Sequence, residues 1–323
     1  MRDATEALME IAFVIPTYNR AEDLRQLLVT VAGLEMPAGL EWEIVVVDNN
    51  SSDHTRRVAA DFARQLPLRY IFERRQGASH ARRRGVLETS SELVAFVDDD
   101  NLLSPAWLIE ALRFFRGHPR AGAVGARVRL LWEIPPDDFV FHYRLCLAEQ
   151  DHGDVTCQMP ATGFTYLAGE ALVVRRRALE ASGWIERGTL DCRRGCELTS
   201  GGDSEMVLRI RNAGYELWYT PAMQQQHRIP RGRMTLSHLC GLHRGFGQTD
   251  TVLQGLAHHR AATPYYRLRE VARSCWYLSR SSARIGAQFL RRGRTDPHER
   301  LSFYRSLGYV EGALAVLWRG YAL

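Results

Sequence analysis

Leu93-Val94-Ala95-Phe96-Val97-Asp98-Asp99-Asp100 is a short apolar run that stops on three carboxylates. The apolar part reads as a buried β-strand. Asn101, Ser104 and Pro105 follow, and a helix is expected to open with Ala106-Trp107-Leu108-Ile109-Glu110. Three adjacent like charges repel one another unless a cation sits among them. Mg²⁺ and Mn²⁺ prefer oxygen ligands, and Mg²⁺ is commonly held by one or two carboxylates plus substrate phosphates. Two readings fit the run alone: a solvated acidic turn at a helix start, or a metal and ligand site.

Upstream, Ile11-Ala12-Phe13-Val14-Ile15 reads as a first strand, ending at Pro16-Thr17-Tyr18-Asn19-Arg20. Residues 21–34 carry Leu24, Leu27, Leu28 and Val31 at helical spacing. Trp42-Glu43-Ile44-Val45-Val46-Val47 is a second strand, closed by Asp48-Asn49-Asn50-Ser51-Ser52-Asp53, and a helix is expected over 55–66. Leu68-Arg69-Tyr70-Ile71-Phe72 makes a third strand before a helix over 79–88. This alternation predicts a parallel sheet covered on both faces. Such sheets bind ligands at the carboxyl ends of their strands, so four polar strand ends converge on one crevice. Asp48 can accept from a base imide or a ribose hydroxyl. Gln76-Gly77-Ala78-Ser79, with His80, Arg82 and Arg83, places small residues and cations at a helix start, a natural anion site. The first strand lacks a G-x-G-x-x-G, which disfavours a dinucleotide fold.

Composition narrows the chemistry. The 323 residues are 46% hydrophobic and 24% charged, ordinary for a globular protein. A net charge of +5 suits an anionic ligand or a membrane surface and is no nucleic-acid signature. The chain contains no lysine, which excludes Schiff-base chemistry, pyridoxal phosphate anchoring and a P-loop lysine. Of six cysteines, Cys192 and Cys196 approach a metal-ligand spacing, but no second pair matches them. The N-terminus does not resemble a signal peptide, and no apolar run reaches the ~18 residues of a membrane span. A cytoplasmic protein is expected.

Beyond the aspartates, residues 123–131 read as a strand, 132–165 as an irregular insertion over the site, and 166–175 as a strand. Residues 178–182 then suit a short helix before Gly183-Trp184. A second acidic element, Ser200-Gly201-Gly202-Asp203-Ser204-Glu205-Met206, opens a helix that Gly214 suits as a cap. Asp203 and Glu205 sit where the helix dipole favours anions, and an N-cap would suit Asp203 equally. Glu216-Leu217-Trp218-Tyr219-Thr220-Pro221 reads as a strand, followed by 223–227 and the pair Arg231 and Arg233.

Taken together, Val14 to Arg20, Val46 to Asp53, Gly77 to Arg84, Phe96 to Asp100, and Gly201 to Gly214 with Tyr219-Thr220-Pro221 resemble a family 2 inverting glycosyltransferase. The resemblance covers roughly residues 11–250. It implies an α/β GT-A fold, Rossmann-like with a mostly parallel sheet flanked by helices. Residues 1–130 would form a nucleotide-binding half, 131–250 an acceptor half, and 251–323 a helical appendage. It also implies transfer of a sugar from a UDP- or GDP-linked donor to a glycan or lipid-linked acceptor, in glycan, glycolipid or polysaccharide synthesis. Pro16, Thr17, Tyr18, Arg20, Asp48, Asn50, Gly77, Arg82, Asp98 and Asp99 would hold the donor. Asp100 and His227 would hold Mn²⁺ or Mg²⁺, and Asp203 would be the general base. Gly169, Glu170, Trp184, Gly202 and Glu205 would border the acceptor. The sequence departs from the family where its usual Glu-Asp pair is Gly202-Asp203, which leaves the accessory carboxylate to Glu205 or Glu170. Two rivals remain: a nucleotide-sugar-binding partner without turnover, and a sugar nucleotidyltransferase.

Residues 265–294 read as a helix of another character. Leu268, Val271, Cys275, Leu278, Ile285 and Phe289 share one side at about 100° per residue. Arg269, Arg273, Arg280, Arg284 and Arg291 take the other. This stripe either packs on the catalytic domain or lies on an anionic membrane with Trp276 and Tyr277 at the boundary. The second reading would place the protein at the inner face of the cell membrane. A last helix is expected around 309–317, able to dock on the core or form a dimer contact.

Overall fold

The computed structural model describes residues 10–190, 198–258 and 263–319; Cys192 and Cys196 lie outside them. Its first half follows the expected alternation: β1 (Ile11–Thr17), α1 (Ala21–Ala32), β2 (Trp42–Asp48), α2 (Thr55–Phe62), β3 (Leu68–Phe72), α3 (Ala78–Leu87) and β4 (Leu93–Val97). β1 and β4 are buried along their whole lengths, as apolar strands covered on both faces must be. β1 pairs in parallel with β2 and β4, and β2 with β3. α1 lays Leu24, Leu27, Leu28 and Val31 on the sheet. α3 packs closer, because Gly85 meets Val14: a Cβ there would sit 2.3 Å from Val14 Cγ1.

The second half is β5 (Asn101–Leu103), α4 (Trp107–Gly117), β6 (Ala121–Trp132), α5 (Asp138–His142), β7 (Cys157–Gln158), β8 (Ala171–Arg175), α6 (Arg176–Ala181), α7 (Trp184–Arg187), α8 (Gly202–Asn212) and β9 (Glu216–Ile229). The sheet runs β3-β2-β1-β4-β8-β6-β9-β5, with β7 added to β9. It is α/β as expected but mixed, because β8 lies antiparallel between β4 and β6. Three local differences follow from pairing that the sequence does not display. The residues after the triple aspartate form β5 against His227–Gln225 of β9 before the helix begins. The strand expected from 166 shrinks to Ala171–Arg175, leaving Gly169 and Glu170 in a turn at the crevice. β9 continues through Pro221, absorbing the irregularity as a register shift opposite Ala126 and Arg127.

Three helices close the chain: α9 (Leu236–Ala257), α10 (Pro264–Arg292) and α11 (Pro297–Arg319). α9 is not foreseen in the sequence reading, and α11 begins well before residue 309. Glycines bring these two backbones together: a Cβ at Gly308 would lie 2.0 Å from Arg244 O, and one at Gly312 2.1 Å from Gln248 O. α10 does not lay its apolar stripe inward. It buries Tyr266, Glu270, Ser274 and Ser281, while Leu268 and Phe289 remain 58% and 59% exposed. No helix among the described residues is long and apolar enough to cross a membrane.

Candidate active site

The strand-end loops are tied to one another by side chains before any ligand is considered. Asn19, at φ 50°, accepts from Ser52 N (2.7 Å), and its own N–H donates to Ser51 Oγ (2.8 Å). Asp53 accepts from Ala21 N at the start of α1 (3.0 Å). Asn49 Oδ1 accepts from Gly77 N (2.7 Å), and its amide donates to Glu73 O and Arg75 O. Gly77 stands at φ 137°, open to glycine alone in practice. Asp48 is buried and accepts from Tyr70 Oη (2.7 Å) and Ser51 N (2.8 Å). Asn50 is exposed at φ 73° and turns the loop, while Asn49 lines the crevice in its place.

These loops enclose a crevice of about 260 Å³, lined by Pro16, Thr17, Tyr18 and Arg20 on one side and by the three aspartates on another. The aspartates differ in character. Asp98 is the most open and accepts from Arg82 Nη2 (2.7 Å). Asp99 is buried and takes Arg20 Nη1 at 3.1 Å. Burial pushes it up to about 7, with Arg20 opposing and Asp100 adding. Asp100 Oδ2 accepts from Arg20 Nη1 (2.7 Å) and Arg233 Nη2 (2.8 Å), with His227 Nε2 at 3.5 Å. Burial opposes its ionisation, but His227, Arg233 and Arg20 outweigh it and hold this carboxyl well below the usual range. Burial pushes Glu170 up to about 8, against the pull of His227.

His227 Nδ1 donates to Leu147 O (3.0 Å), which turns the Nε2 side toward Asp100 and Arg233. A backbone carbonyl on the far nitrogen is the usual support of a metal-ligating imidazole. Among the described residues no group of three or more His, Cys, Asp or Glu forms a metal cage. Asp100 Oδ2 and His227 Nε2 lie 3.5 Å apart, with Arg233 Nη1 3.0 Å from that nitrogen; two such ligands would suit an ion whose remaining partners are phosphate oxygens and water.

A second cavity of about 310 Å³ adjoins the first; Asp98 and Glu170 line both. Asp203 stands in its wall, in the first turn of α8, which Gly202 opens. Its Oδ2 accepts from Gly169 N (3.2 Å) and its Oδ1 from Ser204 N (2.8 Å). A Cβ at Gly169 would lie 2.3 Å from Asp203 Cβ, so the turn before β8 needs glycine to bring the carboxylate this close. Gly169→Ala is expected to displace Asp203 and lower turnover by roughly 10²-fold, the cost of an ångström-scale misplacement. Steady-state kinetics with donor affinity unchanged would show it.

Two expected acceptor-side residues lie elsewhere. Trp184 is 1% exposed and packs edge-on against Phe96 beneath Arg83. Glu205 is wholly buried, accepting from Thr189 N, Leu190 N and Arg209 Nε (2.8–3.0 Å); it anchors a loop. Conversely, Asn49, Arg233 and the insertion residues Cys146 to Ala148 line the crevice, and Phe246, Thr249 and Leu253 of α9 line the second cavity. Of these, Arg233 had a signal: a cation six residues beyond a strand histidine.

Residues 12–177 match the family model described as Glycosyl transferase family 2, and the chain belongs to that family and is a glycosyltransferase. It is similar to Glycosyltransferase AglE of Haloferax volcanii, with 25% identity over 289 residues, covering 84% of this chain and 88% of that one. It spans only 28–30% of the length of four further curated relatives. Among solved structures, it resembles the mannosyltransferase from Pyrobaculum calidifontis in complex with GDP-Man and Mn²⁺ (TM-score 0.54, 19% identity, 98% of this chain and 89% of that one). It also resembles S. aureus TarS 1-349 in complex with UDP-GlcNAc (TM-score 0.50, 14% identity, 95% and 91%). These likenesses establish the GT-A fold.

Proposed function

We propose that the chain is a divalent-metal-dependent inverting glycosyltransferase that moves a sugar from a nucleotide-diphosphate donor to an acceptor hydroxyl. The observation that carries this reading is the pair of adjoining cavities. One holds cations and Asp100, the other holds Asp203, and Asp98 and Glu170 line both. The nucleotide fits the first cavity, with Tyr18 offering a ring face and Asp98 or Asp99 a ribose contact. GDP-Man and UDP-GlcNAc on the two structural neighbours support a donor of this class.

Asp100 and His227 would hold Mn²⁺ or Mg²⁺, which when bound supplies positive charge to the diphosphate. Arg20 and Arg233, already at Asp100, are placed to meet the phosphate oxygens and stabilise charge on the leaving group. Asp203 takes the proton from the acceptor hydroxyl as its oxygen attacks the anomeric carbon in line with the departing diphosphate. Leu145, Phe164, Phe246 and Leu253 give the acceptor cavity apolar walls. These suit a glycan carried on an apolar group, as in glycolipid or polysaccharide synthesis.

Incubation with a UDP- or GDP-sugar, Mn²⁺ and candidate acceptors tests the reading through the phosphate released. A nucleoside diphosphate is expected. Pyrophosphate would identify a nucleotidyltransferase, and no release of either across donors that bind would identify a binding protein.

A further inference from the structure

Helix α10 carries its polar residues inward. The side it lays on α11 presents Glu270, Ser274 and Ser281, each at most 1% exposed. Glu270 accepts from Tyr309 Oη and from Arg269 Nη2 (2.8 Å). The outer side carries Tyr265, Leu268, Trp276 and Leu290, exposed by 76%, 58%, 54% and 88%. At about 100° per residue these four fall in one strip along the helix, with the small residues Ala272, Ser279, Ala283 and Gly286 between them. A row of arginines borders it: Arg269, Arg273, Arg280, Arg284 and Arg291. From Pro264 to Arg292 the helix holds seven arginines and one acid, the buried Glu270. Arg280 stands over the Trp276 ring at 5.3 Å, joining strip and row.

We propose that this face docks the protein on an anionic lipid bilayer, with α10 lying flat in the interface. An apolar strip beside a cationic row is the pattern that sinks one side of a helix among acyl chains and leaves guanidiniums at headgroup phosphates. Charge selects this occupant over a second copy of the chain. Two such helices meeting face to face would bring arginine rows together with no exposed acid on either helix to offset them. The inference does not depend on the donor chemistry, and its test separates the two.

Co-sedimentation of the full chain with phosphatidylcholine vesicles, with and without phosphatidylglycerol, reads it directly. Binding is expected only to the anionic vesicles and is expected to fall as salt rises. Arg280→Gln with Arg291→Gln should lower the partition coefficient roughly 25-fold. Trp276→Ala with Leu290→Ala should lower it roughly tenfold or more. All four side chains lie away from the crevice, so affinity for GDP or UDP with Mn²⁺ should stay unchanged and report an intact fold. No binding to anionic vesicles, equal binding to neutral ones, or pelleting that ignores both double variants would overturn the proposal. So would a dimer in solution that the Trp276→Ala, Leu290→Ala variant dissociates.

Discussion

Asp203→Asn is expected to keep donor affinity and to lose turnover by roughly 10²–10⁴-fold, the usual contribution of a positioned base. The backbone N–H groups of Gly169 and Ser204 hold the Asp203 side chain in place. An amide of the same shape can still accept from one of them, so the geometry is largely kept while the proton acceptor disappears. Calorimetric titration with nucleoside diphosphate and metal, beside kcat on the acceptor, separates these effects. A variant that turns over like the wild type would remove Asp203 from the reaction. A variant that lost donor affinity as well would show that the two cavities are not independent.

Asp100→Ala is expected to act on the other cavity. The carboxylate balances Arg20, Arg233 and His227, all gathered within 3.5 Å of one oxygen. Without it the guanidiniums of Arg20 and Arg233 lose their shared carboxylate at a buried site beside His227, and the site loses one of its two candidate metal ligands. Nucleoside diphosphate affinity in Mn²⁺ should fall roughly 10²–10³-fold, as expected for a lost metal contact of several kcal/mol. The metal-free affinity should change little or rise as Arg20 and Arg233 are released toward phosphate. Asp100→Asn keeps the volume and checks that folding is intact. Unchanged affinity in the presence of Mn²⁺ would refute the ligand role.

What the sequence discloses is the part of the site carried by strand ends. Apolar runs that stop at Thr17, Asp48 and Asp98 announce both the parallel half of the sheet and the edge where ligands meet it. What it conceals depends on partners distant in the chain. Gly169 meets Asp203 across 34 residues, and Arg233 meets Asp100 across 133. The first leaves no local pattern, and the second only the spacing of Arg233 six residues beyond His227. Asn49 and Asn50 are alike as residues, and only the turn at φ 73° decides which one faces inward. Trp184 and Glu205 carry side chains that suit an acceptor wall, yet Trp184 completes the core and Glu205 anchors the chain at Thr189 and Leu190. α9 escapes periodicity because glycines, not large apolar residues, make its closest contacts with α11. α10 misleads for the opposite reason: Glu270, Ser274 and Ser281 face in, while Leu268, Trp276, Phe289 and Leu290 stay exposed.

In the proposed single displacement, Asp203 would deprotonate the acceptor while the diphosphate leaves from the opposite side. Proton NMR of the first product formed, compared with the donor, tests it most directly through the configuration of the transferred anomeric carbon. An α-linked donor is predicted to give a β-linked product. An α-linked product would require a different mechanism and would contradict the role assigned to Asp203.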